Sequence, residues 1–432
     1  MNICMFTNTY LPHIGGVARS VISYAKDMRK MGHRVLIVAP TFAEDVEGEQ
    51  EDEVLRVPAI QNFNGSDFSM RIAVPFLIAN KIDEFQPDII HSHHPYLLGD
   101  AAMRAARRRN LPLLFTHNTL YEQYTHYVPL DSKAMKQFVI SLSTKYANLC
   151  QRVVAPSHSI ARLLRERGVM VPIEEIPTGV DLAFFKSGNG RRFRQAHAID
   201  PEERVIGHVG RLAPEKNLCY LAEAVASFLD YHHGVFLIVG AGPSEEKIRR
   251  IFHKYQLEKR LILAGEHSDR NLADAYNAMD LFVFASQSET QGMVLTEAMA
   301  AGQSVIALDA SGVREVVTDG LNGRLLDAEA PTELFAEAIH HFFQNPERSG
   351  QFRREALRTA ETFSRESCAG QMVEVYRSML REHKQASGTP QEFLDWDKLI
   401  RALNVEWQLI SEKAAATVNA FIETAGKQQK PY

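Results

Sequence analysis

A chain of 432 residues has room for two domains with separate cores, and a make-up of 45% hydrophobic and 23% charged residues is that of an ordinary globular protein. A formal net charge of −5 excludes a generally basic nucleic-acid binder, so no nucleic-acid partner is expected. Cys4, Cys150, Cys219 and Cys368 form no Cys-x-x-Cys pair, which points to buried thiols in the cytoplasm, and no run reaches the roughly 18 apolar residues of a membrane span.

The chain opens on a short apolar strand, Ile3–Thr7, so no signal peptide is expected and any membrane contact is peripheral. A loop ending in Gly15-Gly16 leads into an amphipathic helix from Val17 to about Lys30, and Arg34–Ala39 is a second buried strand. Together they form a βαβ unit. The glycine pair is not the Gly-x-Gly-x-x-Gly fingerprint, and alone it marks a tight turn before a helix. Glu44–Glu53 is acidic and reads as a solvated loop. Val54–Val57 is predicted as strand and Met70–Glu84 as helix. Pro87–His93 is a strand ending in histidines at the rim of an expected cleft. The helix Leu98–Arg109 ends in Arg104, Arg107, Arg108 and Arg109, which either complement the helix dipole or hold an anionic membrane surface.

Leu113–Thr116 is the next strand, and it opens into a loop carrying His117, Tyr121, Tyr124, His126 and Tyr127. The carboxyl end of a strand is where open α/β sheets place ligands. The loop suits a sugar-stacking wall and ordinary packing equally. Asp131–Cys150 is a helix with Lys133, Lys136 and Lys145; it packs on the core with a solvated lysine face or rests on lipid. Arg152–Pro156 is strand, and Ser157 caps a helix to Arg167. Ser187–Gly190 looks like an inter-domain linker. The domains are accordingly expected at 1–186 and 187–387, with an extension at 388–432.

The βαβ rhythm restarts at Arg204–Val209, followed by the loop Gly210–Asn217 and a helix to about Leu229. Arg211 and Lys216 can converge on a diphosphate, one as a planar fork and one as a point charge, or they can belong to a plain surface loop. Val235–Val239, Arg260–Ala264, Asp280–Ala285 and Ser304–Leu308 continue the sheet. Asp319–Gly323 turns into a last short strand, and helices fill much of Thr332–Glu382. Within this half, Ser286–Gly302 is a polar loop that turns at Gly292 into a helix beginning Met293, Val294 and Leu295. Its N-terminus offers free N–H groups and the positive end of the dipole to an anion such as a pyrophosphate. Glu289 in the loop and Glu297 about one turn into the helix can flank one pocket and grip sugar hydroxyls. A capping loop and an exposed glutamate is the plain alternative.

These stretches carry a family resemblance. Glu289 and Glu297, with seven residues between them, together with Gly292 and Glu297-Ala-Met-Ala300, resemble the E-x7-E signature of retaining glycosyltransferases of family 4. Gly210-Arg211-Leu-Ala-Pro-Glu-Lys216 resembles the same family's Gly-Arg-x-x-x-Glu-Lys motif. The resemblance implies a GT-B fold, an α/β architecture of two Rossmann-like domains facing a cleft, here with a C-terminal helical appendage. It implies a nucleoside diphosphate sugar as donor, with no bound metal and no tightly bound cofactor. By resemblance Arg211 and Lys216 hold the β-phosphate, Glu289 the donor sugar and Glu297 the ribose. Met293, Val294 and Leu295 follow Gly292 at the diphosphate. Gly265 and Glu266 seat the nucleobase, Gly15 and Gly16 approach the phosphate across the cleft, and His117 lies beside the anomeric carbon. The family's commonest loop continues Glu-Gly-Phe-Gly, whereas this chain has Glu289-Thr-Gln-Gly292.

Leu120–Pro129 further resembles bacterial glucosyltransferases that glycosylate diacylglycerol, which places Tyr121, Tyr124, His126 and Tyr127 in the acceptor region. This narrower likeness implies glucose from a UDP-sugar, a lipid acceptor and the inner face of the membrane. A soluble sugar, sugar phosphate or polysaccharide acceptor is the alternative within the class. A GT-B epimerase and a non-catalytic sugar-nucleotide module are alternatives outside it. Beyond Gly388, residues from Trp396 to Phe421 place an apolar face on a long helix, suited to docking on the body, a homodimer seam or a membrane interface.

Overall fold

Short runs such as Ile3–Phe6 and Leu281–Phe284 are apolar without alternation, which suits strands covered on both faces. A computed structural model describes residues 1–12, 15–41, 54–60, 70–71, 75–123, 133–287 and 289–385. The acidic stretch, Tyr124, His126, Tyr127 and the extension after Gly388 lie outside these residues.

The first sheet is built from β1 (Asn2–Phe6), β2 (Arg34–Pro40) and β3 (Val54–Val57). After a small antiparallel pair, β4 (Ala59–Ile60) and β5 (Met70–Arg71), come β6 (Ile89–Ser92), β7 (Leu113–Thr116), β8 (Arg152–Ala155) and β9 (Ile173–Glu175). Seven parallel strands lie in the order β3-β2-β1-β6-β7-β8-β9. The crossovers are α1 (Gly16–Lys30), α2 (Pro75–Phe85), α3 (Leu98–Arg109), α4 (Lys133–Leu149) and α5 (His158–Glu166). Residues alternate between two cores as a pleated strand requires: Cys4 and Phe6 enter one, Ile3 and Met5 the other.

The second sheet follows α6 (Leu182–Lys186) and α7 (Gly190–Ala196). It holds β10 (Val205–Val209), β11 (Val235–Val239), β12 (Leu261–Leu263), β13 (Leu281–Phe284), β14 (Val305–Leu308) and β15 (Gly323–Leu326). These six strands are parallel in the order β12-β11-β10-β13-β14-β15. Helices α8 (Leu218–Tyr231), α9 (Glu245–Lys254), α10 (Asp269–Ala278) and α11 (Met293–Ala300) connect them. The chain ends in α12 (Thr332–Gln344), α13 (Pro346–Thr362) and α14 (Arg365–Gln385).

The structure differs from the sequence expectation at two places and adds detail at a third. Met70-Arg71 is strand, and the helix begins only at Pro75, whose fixed φ suits a first helical turn. Ser187–Gly190 leads directly into α7, where Asn189 caps the helix by accepting from Arg192 N at 3.0 Å. A Cβ on Gly188 would lie 2.3 Å from Ala273 O and one on Gly190 2.0 Å from Asn277 O, so these glycines let α7 press onto α10. Finally, α14 does not belong with the second sheet. Its Cys368, Met372 and Tyr376 sit in the first domain's core with Ile3, Met5 and Val21. The chain therefore crosses between domains twice, and the crossings pair: Val180 N donates to Phe363 O at 2.8 Å and Arg365 N to Val180 O at 3.1 Å.

Candidate active site

In an open parallel sheet a crevice opens where the strand order reverses, because the crossovers on either side leave over opposite faces. The first sheet reverses between β1 and β6, the second between β10 and β13. The loops that leave these strands carry Gly15-Gly16, His93, Gly210–Lys216 and Ser286–Gly292.

On the second-domain side, Gly292 has φ 73° and ψ 52°, a left-handed turn that glycine adopts without strain, and it starts α11 with no side-chain cap. Leu295 N donates to Gly292 O at 2.9 Å, while the Met293 and Val294 amides of the first turn have no side-chain cap. Lys216 ion-pairs with Glu289, both largely buried, so the loop after β10 and the loop after β13 meet at this pair. Arg211 is exposed and pairs with Glu215 one turn on. The two cations each have a carboxylate partner from their own domain. Gly240 backs onto Gly210, where a Cβ would lie 1.9 Å from Gly210 O, and Gly240 N donates to Gly265 O at 2.8 Å. Gly265 is half-buried and Glu266 exposed at the edge of this surface.

Glu297 is placed differently from Glu289. It is 5% exposed; Oε2 accepts from Tyr276 OH at 2.7 Å and Oε1 from Arg19 at 3.3 Å. Burial raises its pKa above the usual carboxylate value, while Arg19 and Tyr276 pull it back. Arg19 belongs to α1 of the first domain, so this ion pair spans the cleft.

On the first-domain side, Gly15 and Gly16 are exposed at the N-terminus of α1, and an added Cβ at either would meet nothing within 4 Å among the described residues. A glycine backbone leaves this surface bare of side chains. His117 follows β7 and is fully buried, with neither ring nitrogen hydrogen-bonded. Burial pushes its pKa down to about 4, so the ring is neutral near pH 7. Tyr121 packs edge-on against it at 5.6 Å, and its hydroxyl is buried without a partner. His93 also has an unpaired buried Nε2, held 4.1 Å from His91 centroid to centroid. Of the arginines closing α3, Arg109 binds Asp83 and Ala79 O and Arg107 binds Leu149 O, while Arg104 and Arg108 are exposed.

The loop of the departure, Thr290-Gln291, joins the domains. Gln291 accepts from Thr178 N and donates to Thr178 O, both at 2.7 Å. Thr290 Oγ1 donates to Asn118 O at 3.1 Å, and Thr290 O accepts from the Ser157 hydroxyl at 2.7 Å. Sequence reasoning passed over these contacts and Arg19 and Tyr276, since no local pattern pairs residues so far apart. It also passed over His208 on β10, buried with Nδ1 toward Val283 O at 3.1 Å and Nε2 unpaired. That polar residue in an otherwise apolar strand was the available signal.

Comparison with known proteins fits this arrangement. The model of Glycosyltransferase Family 4 matches residues 14–184, and that of Glycosyl transferases group 1 matches residues 190–359. An alpha-monoglucosyldiacylglycerol synthase of Streptococcus pneumoniae is 30% identical over 337 residues, 76% of each chain. A GDP-mannose-dependent alpha-mannosyltransferase of Corynebacterium glutamicum is 29% identical over 335 residues, 76% of this chain and 77% of that one. In fold, the chain is similar to HepE of Anabaena, solved in complex with UDP-glucose, with a TM-score of 0.71 and 20% identity over 88% of this chain and 100% of that one. Two parallel sheets, each with a reversal point, joined by the Arg19–Glu297 pair, and relatives of this kind across three quarters of the chain, lead to one conclusion: the chain belongs to glycosyltransferase family 4, a GT-B enzyme that transfers a sugar from a nucleotide sugar.

Proposed function

We propose that the enzyme moves glucose from UDP-glucose to the hydroxyl of diacylglycerol or a related glycolipid, with retention of the α configuration. The observation that carries the donor side is the Lys216–Glu289 pair set at the uncapped N-terminus of α11, opposite the open glycines of α1. A diphosphate entering between them meets amide donors and two cations, Lys216 and Arg211, preorganised where negative charge grows as the nucleoside diphosphate departs. Glu289, repelled by the phosphate, turns to the sugar hydroxyls, and Glu297 faces the ribose. Gly265 and Glu266 lie where the base would sit. His117, neutral and with both nitrogens unpaired, orients the sugar or acceptor by hydrogen bonds; the attacking hydroxyl loses its proton to the leaving phosphate on the same face. Tyr121 begins the acceptor wall, which Tyr124, His126 and Tyr127 continue.

The lipid acceptor is supported by the pneumococcal relative, itself named for synthesis of a glucosyldiacylglycerol. No helix among the described residues is long and apolar enough to cross a membrane, so contact with lipid would be peripheral. The mannosyltransferase relative favours a second reading, GDP-mannose as donor. Both readings are separated by incubating the enzyme with UDP-glucose or GDP-mannose, with and without diacylglycerol vesicles, and identifying the product. A glucosylated lipid formed only with UDP-glucose is the expected outcome; turnover only onto soluble sugars would overturn the acceptor assignment.

A further inference from the structure

The pair Arg19–Glu297 assigns a task to a residue outside both motifs. We propose that Arg19 is a positioning residue that keeps Glu297 ionised and aimed at a vicinal diol of the donor, and that it does so only while the two domains are together. The inference rests on the reading of Glu297 as the ribose-facing carboxylate.

An ionised carboxylate has about four acceptor directions. Tyr276 OH takes one on Oε2 and Arg19 one on Oε1, so one remains on each oxygen. Two neighbouring acceptors of full negative character match two adjacent hydroxyls, as on a ribose. A protonated Glu297 would spend one of those directions on a donor and present a hydroxyl hydrogen to the diol. The setting favours protonation, because the side chain is 7% exposed and among the described residues its charged or titratable partners are Tyr276 from α10 and a single cation, Arg19 from α1. Arg19 is the counter-charge. It stands one helical turn beyond the open glycine Gly16, and its side chain is 34% exposed, close to solvent while the carboxylate is not.

Because Arg19 is in the first domain, separating the domains would withdraw it and let the carboxyl take up a proton. The acceptor quality of the donor site is then tied to closure, and an open enzyme holds its donor less well without any change in the donor-binding residues of the second domain. Ser20, the next residue of α1, shares a hydrogen bond with Thr178 at 2.9 Å, and Thr178 in turn is gripped by Gln291 of the donor loop. The helix that carries Arg19 is thereby registered against the loop that carries Glu289.

The test is the affinity for UDP-glucose, measured by calorimetry between pH 6 and 8.5 in full-length wild type, Arg19→Ala, Arg19→Lys, Glu297→Gln and Arg19→Ala/Glu297→Gln; GDP-mannose replaces it if the wild type binds only that. Removing the cation raises the carboxyl's pKa, so Arg19→Ala should bind within about threefold of wild type at pH 8.5 and about tenfold more weakly at pH 6. Arg19→Lys should restore the wild-type profile, and the double variant should show no more pH dependence than Glu297→Gln alone. A loss in Arg19→Ala that is the same at every pH, or none at all, would overturn the proposal. If Glu297→Gln binds like wild type, the ribose assignment itself fails, an outcome distinct from the first two.

Discussion

Lys216 and Glu289 hold each other before any donor arrives, and that mutual partnership sets what their removal should do. Under the proposed function, Lys216→Ala removes a cation that faces the developing diphosphate charge, and kcat should fall by about 10²–10³ while the protein stays folded. Glu289→Gln keeps the shape and loses the charge, so it should lower kcat with little change in donor affinity. Steady-state turnover of the donor, with circular dichroism to confirm folding, checks both. The sequence made these residues legible because each falls in a spaced motif. It could not show that Arg211 faces Glu215 while Lys216 reaches across to Glu289, since side-chain pairing depends on where two separate loops finish. Glu297 was expected beside Glu289 in one pocket. Its observed partners, Tyr276 and Arg19, come from two other helices and leave no trace in the local pattern.

The loop before α11 is where this chain leaves its family's common pattern, and the structure gives the departure a physical reason. A glycine at 290 could not donate to Asn118 O, and a phenylalanine at 291 could not pair with the backbone of Thr178. Gln291→Met would strand a buried N–H and C=O, at about 1–3 kcal/mol for each group. It should lower the melting temperature and increase the radius of gyration in solution scattering as the domains part. If the scattering profile stays unchanged, the loop does not hold the domains together. Strands and helices of the two sheets were readable from apolar runs and glycine stops, as β10 and α11 illustrate. The start of α2 at Pro75 and the tight seating of α7 on α10 were not, because both depend on packing partners distant in sequence.

At the scale of the whole molecule, five histidines are buried among the described residues: His91 on β6, His93 and His94 just after it, His117 beside β7 and His208 on β10. Burial holds His91 and His94 down to about 3 and His117 and His208 to about 4, and pushes His93 far down too. The unfolded chain, with histidines near 6.5, takes up protons first as pH falls. The stability gained by keeping these rings neutral is therefore complete above about pH 6.5. It drains toward pH 3–4 at up to about 1.4 kcal/mol per pH unit for each ring. Thermal midpoints should be level from pH 7 to 8 and drop steeply below 6.5. The division of the chain into two sheets was legible from the restart at Arg204, whereas the return of α14 to the first core was not, since an amphipathic helix does not say which surface it covers. That return has a topological consequence. The second lobe is a guest inserted into the first, entering and leaving by two ribbons zipped together at Val180 and Phe363–Arg365. A doubled tether permits rocking and resists swivelling, so whichever way the lobes part, the same edges should meet again.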